Sequence, residues 1–304
     1  MFSHLLRLRS PILVLLTLFV TVIIVPSSLF AQETEGSSPL ELGRRIVPDV
    51  IGIVAGPSFN VVNGSLTTGC PCTFDGGLGV SGLVGLMYEK NLLTPGPTWR
   101  LGTVNIGARL LYETRSVSSA FREYENNTFR SVKQPSQFYT LPILYRHLAE
   151  VNYGMLTLTP YLTWNPLTIG IFQPFVQVGI QGGLFMGGRA RHTKFILDTQ
   201  VRLPTNEEAI VEFPNPLDSA LPGTSSIVIQ DTSFTPPSPL QLAASITLGT
   251  DIPIGTKFRL SVMGNYLIPF TPLSLGLVRP PEPDGNFTVS AWQIMLALKM
   301  NLER

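Results

Sequence analysis

Residues 292–302 read Trp-Gln-Ile-Met-Leu-Ala-Leu-Lys-Met-Asn-Leu, and their side chains alternate in character. The even-numbered positions are all large and apolar, namely Trp292, Ile294, Leu296, Leu298, Met300 and Leu302. The odd-numbered positions between them include Gln293, Lys299 and Asn301. Because successive side chains of a β-strand point to opposite faces, this period of two predicts a strand with one apolar and one mixed face.

Seven earlier segments repeat this alternation, although the first two are richer in glycine. They cover residues 50–62, 77–89, 103–110, 156–164, 176–181, 240–249 and 257–268, which makes eight strands in all. The connections alternate between long and short, at roughly 14, 8, 30, 6, 50, 5 and 16 residues. The sequence therefore predicts an all-β chain whose strands are joined by short turns at one end and long loops at the other.

The chemistry of the second face indicates where the apolar face points. In a soluble barrel the outward positions would carry Lys, Glu and Asp, whereas here Thr, Ser, Gln, Asn and Gly dominate. Such a face suits a narrow polar lumen, which leaves the apolar face against lipid. The predicted lumen-facing polar residues are Arg109, Thr157, Thr159, Gln177, Gln181, Lys257, Arg259, Gln293 and Lys299. Aromatic residues near segment ends are predicted to lie at the membrane interfaces, namely Tyr88, Trp99, Tyr112, Trp164, Tyr266 and Trp292.

The N-terminus has the order of a secretory signal peptide. Arg7 and Arg9 precede an apolar run over residues 11–25, and small residues lead to Ala31. We therefore predict a signal peptide at 1–31, a flexible leader at 32–46 and a barrel domain at 47–304. The 21 basic and 20 acidic residues give a net charge of +1, so a nucleic-acid partner is not expected.

These features together resemble a known family. Besides the signal peptide, the resemblance rests on the Cys70–Gly79 run before the second strand, on Leu156–Leu162, and on the strand-turn-strand Asp251–Phe270. The chain resembles the porin-family outer-membrane β-barrel domain and is similar in architecture to the eight-stranded barrel of outer membrane protein A. The resemblance implies an eight-stranded antiparallel up-and-down transmembrane β-barrel, located in the outer membrane and inserted by the barrel-assembly machinery. It implies neither a catalytic site nor a cofactor.

Several motifs have competing interpretations. Cys70 and Cys72 are the only cysteines, and in an oxidising compartment they are expected to form a strained disulfide that clips the loop, or to remain a pair of thiols, rather than to form a redox or metal site. Gly77-Leu78-Gly79-Val80-Ser81-Gly82 matches a dinucleotide-binding pattern, but the following residues continue as a strand. We therefore interpret its glycines as a means of tight packing.

The histidines and a basic group complete the candidates. After export only His147 and His192 remain, and His192 is predicted to be a solvated loop residue at the outer rim. Arg189, Arg191 and Lys194 beside it are a candidate contact for lipopolysaccharide phosphates.

The sequence favours a non-enzymatic barrel with a structural, adhesive or lipid-contact role. Eight strands leave room for little more than side chains, so the lumen is expected to be closed to free diffusion. Three alternatives remain open, which are a small-solute porin, a rim enzyme acting on lipid or peptide through His192, and a soluble lipocalin-like periplasmic carrier. No cofactor or metal is expected, and the bilayer is the expected partner.

Overall fold

The computed structural model describes residues 49–67, 73–94, 102–166, 169, 171–214, 223–236, 239–273 and 286–302. The strands are β1 (Asp49–Thr67), β2 (Thr73–Leu93), β3 (Thr103–Arg130), β4 (Phe138–Asn165), β5 (Gln173–Ile196), β6 (Gln200–Arg202), β7 (Glu208–Ile210), β8 (Ser226–Phe234), β9 (Leu240–Ile254), β10 (Phe258–Pro269) and β11 (Phe287–Leu302). Within these residues no helix has the length and apolar character that crossing a membrane requires.

Eight of these strands form a closed ring in which every neighbouring pair is antiparallel. The ring runs β1-β2-β3-β4-β5-β9-β10-β11, and β11 pairs with β1. Starting at Asn60 of β1 and passing from each residue to its paired residue on the next strand, through β11 first, one returns to β1 at Val50. The strands are therefore staggered by ten residues over one full turn of the ring. For eight strands this stagger corresponds to a strand tilt of roughly 40°. The predicted fold class, an eight-stranded antiparallel up-and-down barrel, is confirmed.

The apolar side chains of the strands point away from the barrel axis. Ile53 and Leu248 are each 61% exposed, and Leu296 is 53% exposed. A lipocalin-like carrier would bury these residues inside the barrel, so the soluble-carrier alternative is wrong. A continuous apolar band on the outside of a closed barrel is the arrangement that spans a bilayer, because closure satisfies every backbone hydrogen bond. The chain is an outer-membrane type of β-barrel.

The barrel interior contains two apolar clusters. The one farther from the loops includes Val54, Met87, Leu111, Phe175 and Met295. The second, which we call the apolar plug, lies toward the loop end of the lumen and contains Val62, Leu66, Phe74, Val117, Ala149, Val151, Tyr153, Met155, Phe185, Ala190, Phe234, Leu273, Phe287 and Val289. Polar side chains fill the space between and beside these clusters.

The loop end differs from the prediction, because much of what the sequence indicated as loop is strand. β3 and β4 each have 28 residues and stay paired from Thr103↔Asn165 to Arg130↔Phe138. β5 continues past its predicted end, and β8 adds to its free edge. We call residues 116–130, 138–154, 188–196 and 226–234 the extension. Both of its faces contain polar residues, so the hydropathy alternation that reveals a membrane strand is lost there.

The long connection from β5 to β9 contains a hairpin that pairs β6 with β7. The glycine motif at 77–82 lies inside β2, as its interpretation as a strand requires. At Gly79 a Cβ atom would lie 1.7 Å from the Ser116 carbonyl oxygen, so this position requires glycine for close strand packing.

Some predictions lie outside the described residues. They are the signal peptide at 1–31, the leader at 32–46, the pair Cys70 and Cys72, and Trp99. These stay predictions.

Candidate functional site

A buried ion cluster lies in the lumen near the turn end of the barrel, where β1 begins and β11 ends. Lys299 of β11 donates from Nζ to both oxygens of Glu89 at 3.3 and 3.4 Å and to both oxygens of Asp251 at 3.1 and 3.3 Å. Glu89 also accepts hydrogen bonds from Tyr161 at 3.1 Å and from Gln177 at 3.0 Å. One cation thus bridges two carboxylates contributed by strands on either side of the lumen.

A second network begins at Arg109 of β3, which is almost completely buried. Its Nη2 donates to Ser245 at 3.3 Å and to Thr247 at 3.2 Å. Both hydroxyls donate onward to the Asn265 side-chain oxygen, and the Asn265 amide donates to Gln293 at 2.7 Å. The guanidinium therefore connects β3 to β9, β10 and β11 across the lumen.

Glu113 ends this network beside the apolar plug. Its carboxylate accepts from Arg115 at 3.1 Å, Thr157 at 3.0 Å, Gln181 at 2.5 Å and Gln293 at 3.4 Å, and it is fully buried. A buried carboxylate is tolerated only when charge and hydrogen bonds compensate for its lost hydration. These donors, on β3, β4, β5 and β11, supply that compensation.

The structure places most of the predicted lumen residues inside the barrel. Arg109, Thr157, Thr159, Gln177, Gln181, Gln293 and Lys299 are all buried. Arg259 is half-buried, on the inward side of β10 near its start. Lys257 requires a correction, because it lies exposed in the turn between β9 and β10. The predicted strand began one residue too early and included this turn residue.

The acidic partners of these cations were not predicted from the sequence. Glu89 and Glu113 lie on the same inward side as Arg109, and Asp251 was assigned to a turn although it belongs to β9. Extending the alternation past its apolar part, from Arg109 through Leu111 to Glu113, would have identified one of them. A buried cation also requires an opposite charge nearby.

The described interface aromatics point outward at two levels of the barrel. Tyr88 and Trp164 lie toward the turn end, while Tyr112, Tyr266 and Trp292 lie toward the loop end. Tyr112, Trp164 and Trp292 are 47%, 44% and 57% exposed. Tyr266 and Trp292 pair across strands with ring centroids 4.3 Å apart. Two levels of outward aromatic rings are typical of the two interfaces of a bilayer.

The two histidines meet inside the extension. The prediction for His192 is wrong, because it is a fully buried residue of β5 rather than a solvated loop residue. Its Nε2 lies 3.0 Å from Nδ1 of His147 on β4. The pairing of β4 with β5 brings the two residues together across 45 positions of sequence, which no local pattern could indicate.

Burial controls the charge of this pair. Loss of hydration, together with the nearby His147 and Lys194, lowers the pKa of His192 from 6.5 to about 4. Burial and Lys194 also lower the pKa of His147, against the opposing effect of Glu125 and Glu123. Both imidazoles are therefore neutral at neutral pH. Glu123, Glu125 and His147 are also the described residues whose side chains could together hold a metal ion.

The basic group does not form one surface. Arg189 and Arg191 are exposed on the outward face, and Arg189 makes a bidentate pair with Asp231 of β8 at 2.5 and 2.8 Å. This hydrogen bonding lowers the pKa of Asp231. Lys194 points inward, where its Nζ donates to Glu125 and lies 4.1 Å from the centroid of the Tyr145 ring. A phosphate on the outer surface could contact the two arginines but not Lys194.

No protein-family model matches the chain, and no curated protein matches it. Solved structures with similarity include the outer membrane protein OprG from Pseudomonas aeruginosa, at 13% identity and a TM-score of 0.38, covering 84% of this chain and 97% of that one. The attachment invasion locus protein Ail of Yersinia pestis is 8% identical with a TM-score of 0.28, covering 83% and 99%. The outer membrane protease OmpT from Escherichia coli is 8% identical with a TM-score of 0.27, covering 87% and 100%.

Proposed function

We propose that the protein resides in the outer membrane, after export through a cleaved signal peptide, as a non-enzymatic barrel that is closed to free diffusion. The observation that supports this most strongly is the filled lumen. Arg109 and Glu113 cross its middle with their partners, the Lys299 cluster crosses it near the turn end, and the apolar plug lies toward the loop end. A solute would have to displace buried ion pairs at more than one level, which costs several kcal/mol at each.

Conductance across a planar bilayer tests the closed lumen. The refolded protein is expected to give no steady current above background. A matched variant, Arg109→Ser with Glu113→Ser, removes the central network but keeps the Lys299 cluster and the apolar plug, so it is expected to stay without steady current if it keeps the heat-modifiable migration of a folded barrel. A steady, large current from the unmodified protein would contradict the proposal and favour the small-solute porin.

The role we propose for the exterior is contact with lipid headgroups. A groove of about 460 Å³ lies on the outside of the barrel at the base of the extension. Thr114, Ser116, Asn152 and Arg189 contribute hydroxyl, amide and guanidinium groups to it. This groove lies just beyond Tyr112, where the outward face changes from apolar to polar. The headgroups of the outer leaflet, including lipopolysaccharide phosphates, are expected at this level.

Charge neutralisation on the two faces tests this contact. Arg189→Gln with Arg191→Gln removes the outward charges and is expected to weaken lipopolysaccharide binding by the folded barrel. Lys194→Gln removes one positive charge from the inward face and serves as the control. We expect it to leave lipopolysaccharide binding unchanged. Equal binding by all three proteins would remove lipopolysaccharide as a partner of this surface.

The non-enzymatic part of the proposal is supported by the burial of the histidines. His192 is fully buried and His147 is 3% exposed, so neither presents its ring to an extracellular lipid or peptide. A panel of lipid and peptide substrates is expected to show no turnover by the folded protein. Turnover that His192→Gln abolishes would contradict the proposal and establish the rim enzyme.

A further inference from the structure

The inward face of the extension brings together two carboxylates and an imidazole. Glu123 and Glu125 lie two positions apart on β3, so their side chains share a face, and His147 lies on the neighbouring β4. The potential ligand atoms of the three residues all lie within 4.8 Å of one another. Nε2 of His147 is 3.8 Å from Glu125 Oε1 and 4.0 Å from Glu123 Oε2.

The Nε2 atom of His147 is an unusual feature of this cluster. It is buried and has no hydrogen-bond partner, although it points at two carboxylates. Buried polar atoms normally have a partner, and an unpartnered one calls for an explanation. At 3.8 and 4.0 Å the carboxylates are too far away for direct hydrogen bonds. The separations are instead close to those of donor atoms that share one ion at about 2.0–2.2 Å each.

The surroundings of His147 hold its ring in this orientation. Phe121 stacks on it with ring centroids 4.7 Å apart and an interplanar angle of 4°. Nδ1 lies 3.0 Å from Nε2 of His192, and Phe74 packs edge-on against His192 at 5.2 Å. If Nδ1 of His147 donates its hydrogen to His192, the lone pair of the His147 Nε2 atom points toward the carboxylates. A second hydrogen-bonded group that fixes the tautomer in this way is typical of metal-ligating histidines.

We propose that Glu123, Glu125 and His147 bind a divalent transition metal ion, with His192 as a positioning residue. One imidazole nitrogen and two carboxylate oxygens, completed by water, suit Zn²⁺ or a neighbouring ion such as Cu²⁺. Ca²⁺ and Mg²⁺ prefer oxygen ligands only, so the imidazole disfavours them. Glu123 and Glu125 have side chains 52% and 37% exposed, which gives an ion access from the extracellular side.

Lys194 provides a second test of the proposal because its ammonium group competes with the metal ion for Glu125. Its Nζ donates to Glu125 Oε1, one of the proposed ligand atoms. An incoming cation has to displace this ammonium group from Glu125. Removing the charge with Lys194→Met is therefore expected to tighten metal binding, an effect opposite to that of removing a ligand.

Calorimetric titration of the refolded full chain with Zn²⁺, after removal of metals with EDTA, tests the site. All proteins carry Cys70→Ser and Cys72→Ser, because thiolates also bind zinc. We expect one Zn²⁺ per chain. We expect at least about a tenfold loss of affinity in His147→Ala and in Glu123→Gln with Glu125→Gln, and about a 10-fold to 100-fold loss in His192→Gln. Glu150→Gln on the outward side of β4 is the matched control, with unchanged affinity.

A spectroscopic measurement distinguishes direct coordination by His147 from an indirect effect of the substitution on the fold. With Cu²⁺ as the probe, electron paramagnetic resonance is expected to show coupling to one nitrogen, and His147→Ala is expected to abolish it while heat-modifiable migration is retained. Absence of Zn²⁺ binding would overturn the proposal. Full affinity in His147→Ala or in the double glutamate variant would also overturn it.

Discussion

The part of the barrel below Tyr112 and the extension above it are built from the same hydrogen-bonded strands, but their two faces have opposite character. Along β3 the outward positions change from Leu110 and Tyr112 to Thr114, Ser116 and Ser118, while the inward positions change from Arg109 and Glu113 to Val117 and Phe121. Below the boundary the exterior is apolar and the interior carries ion pairs. Above it the exterior is polar and the interior contains the apolar plug.

This switch of the apolar side chains from the outward to the inward face shows that the surrounding medium, rather than the strand itself, determines which face is apolar. Hydrocarbon outside the lower barrel requires apolar side chains there and leaves the lumen to polar groups. Water outside the extension restores the ordinary arrangement of a soluble sheet. A β-bulge marks the boundary on β5, where Met186 is the extra residue between the pairs Gly154↔Gly187 and Met155↔Phe185. The extra residue changes which side chains of β5 face inward.

The largest expected effect comes from breaking the charge cluster in the lower lumen. Lys299→Met leaves Glu89 and Asp251 without their shared cation, and we expect a loss of about 3–5 kcal/mol in the free energy of unfolding. Denaturant titration of the barrel in liposomes measures this loss. Lys257→Met, in the exposed turn, is the control and is expected to change stability by no more than about 0.5 kcal/mol. Equal effects of the two substitutions would show that the lumen cluster contributes little.

A positive charge introduced on the outward face tests the difference between the apolar band and the extension. Leu296→Arg places a cation in the apolar band and is expected to cost about 2–4 kcal/mol. Ser118→Arg makes a similar change on the outward face of the extension, where water solvates it, and is expected to cost no more than about 0.5 kcal/mol. The same denaturant titration compares them. Similar costs at both positions would place the membrane boundary elsewhere.

The smallest expected effect concerns pH and the extension alone. Because the pKa of folded His192 is about 4 against an ordinary value of 6.5, the unfolded chain takes up a proton first as the pH falls. Stability is therefore complete well above pH 6.5 and declines as the pH falls toward 4, by at most about 1.4 kcal/mol at pH 5.5. His192→Gln is expected to flatten this dependence in unfolding measurements at pH 7.5 and 5.5. An unchanged pH dependence in the variant would assign it to other groups.

The sequence could predict the lower barrel because its outward positions are uniformly apolar. A period of two from Trp292 to Leu302 survives even where Met295 and Ala297 interrupt the polar face. The upper halves of β3 and β4 were missed because the apolar side changes from the outward face at Tyr112 to the inward face at Val117, so no single period of two runs through the whole strand. The meeting of His147 with His192 depends on the long-range pairing of β4 and β5, and the pairing of Lys299 with Glu89 of β2 depends on closure of the ring between β11 and β1.

The most direct test of the central claim is the accessibility of spin labels on the two outward faces in liposomes. Nitroxides are attached to Leu296→Cys and to Ser118→Cys in a chain that carries Cys70→Ser and Cys72→Ser. The label at 296 is expected to collide with dissolved oxygen and to be shielded from a water-soluble nickel complex, and the label at 118 is expected to behave in the opposite way. Free access of the nickel complex to the label at 296 would contradict the placement of the apolar band in hydrocarbon.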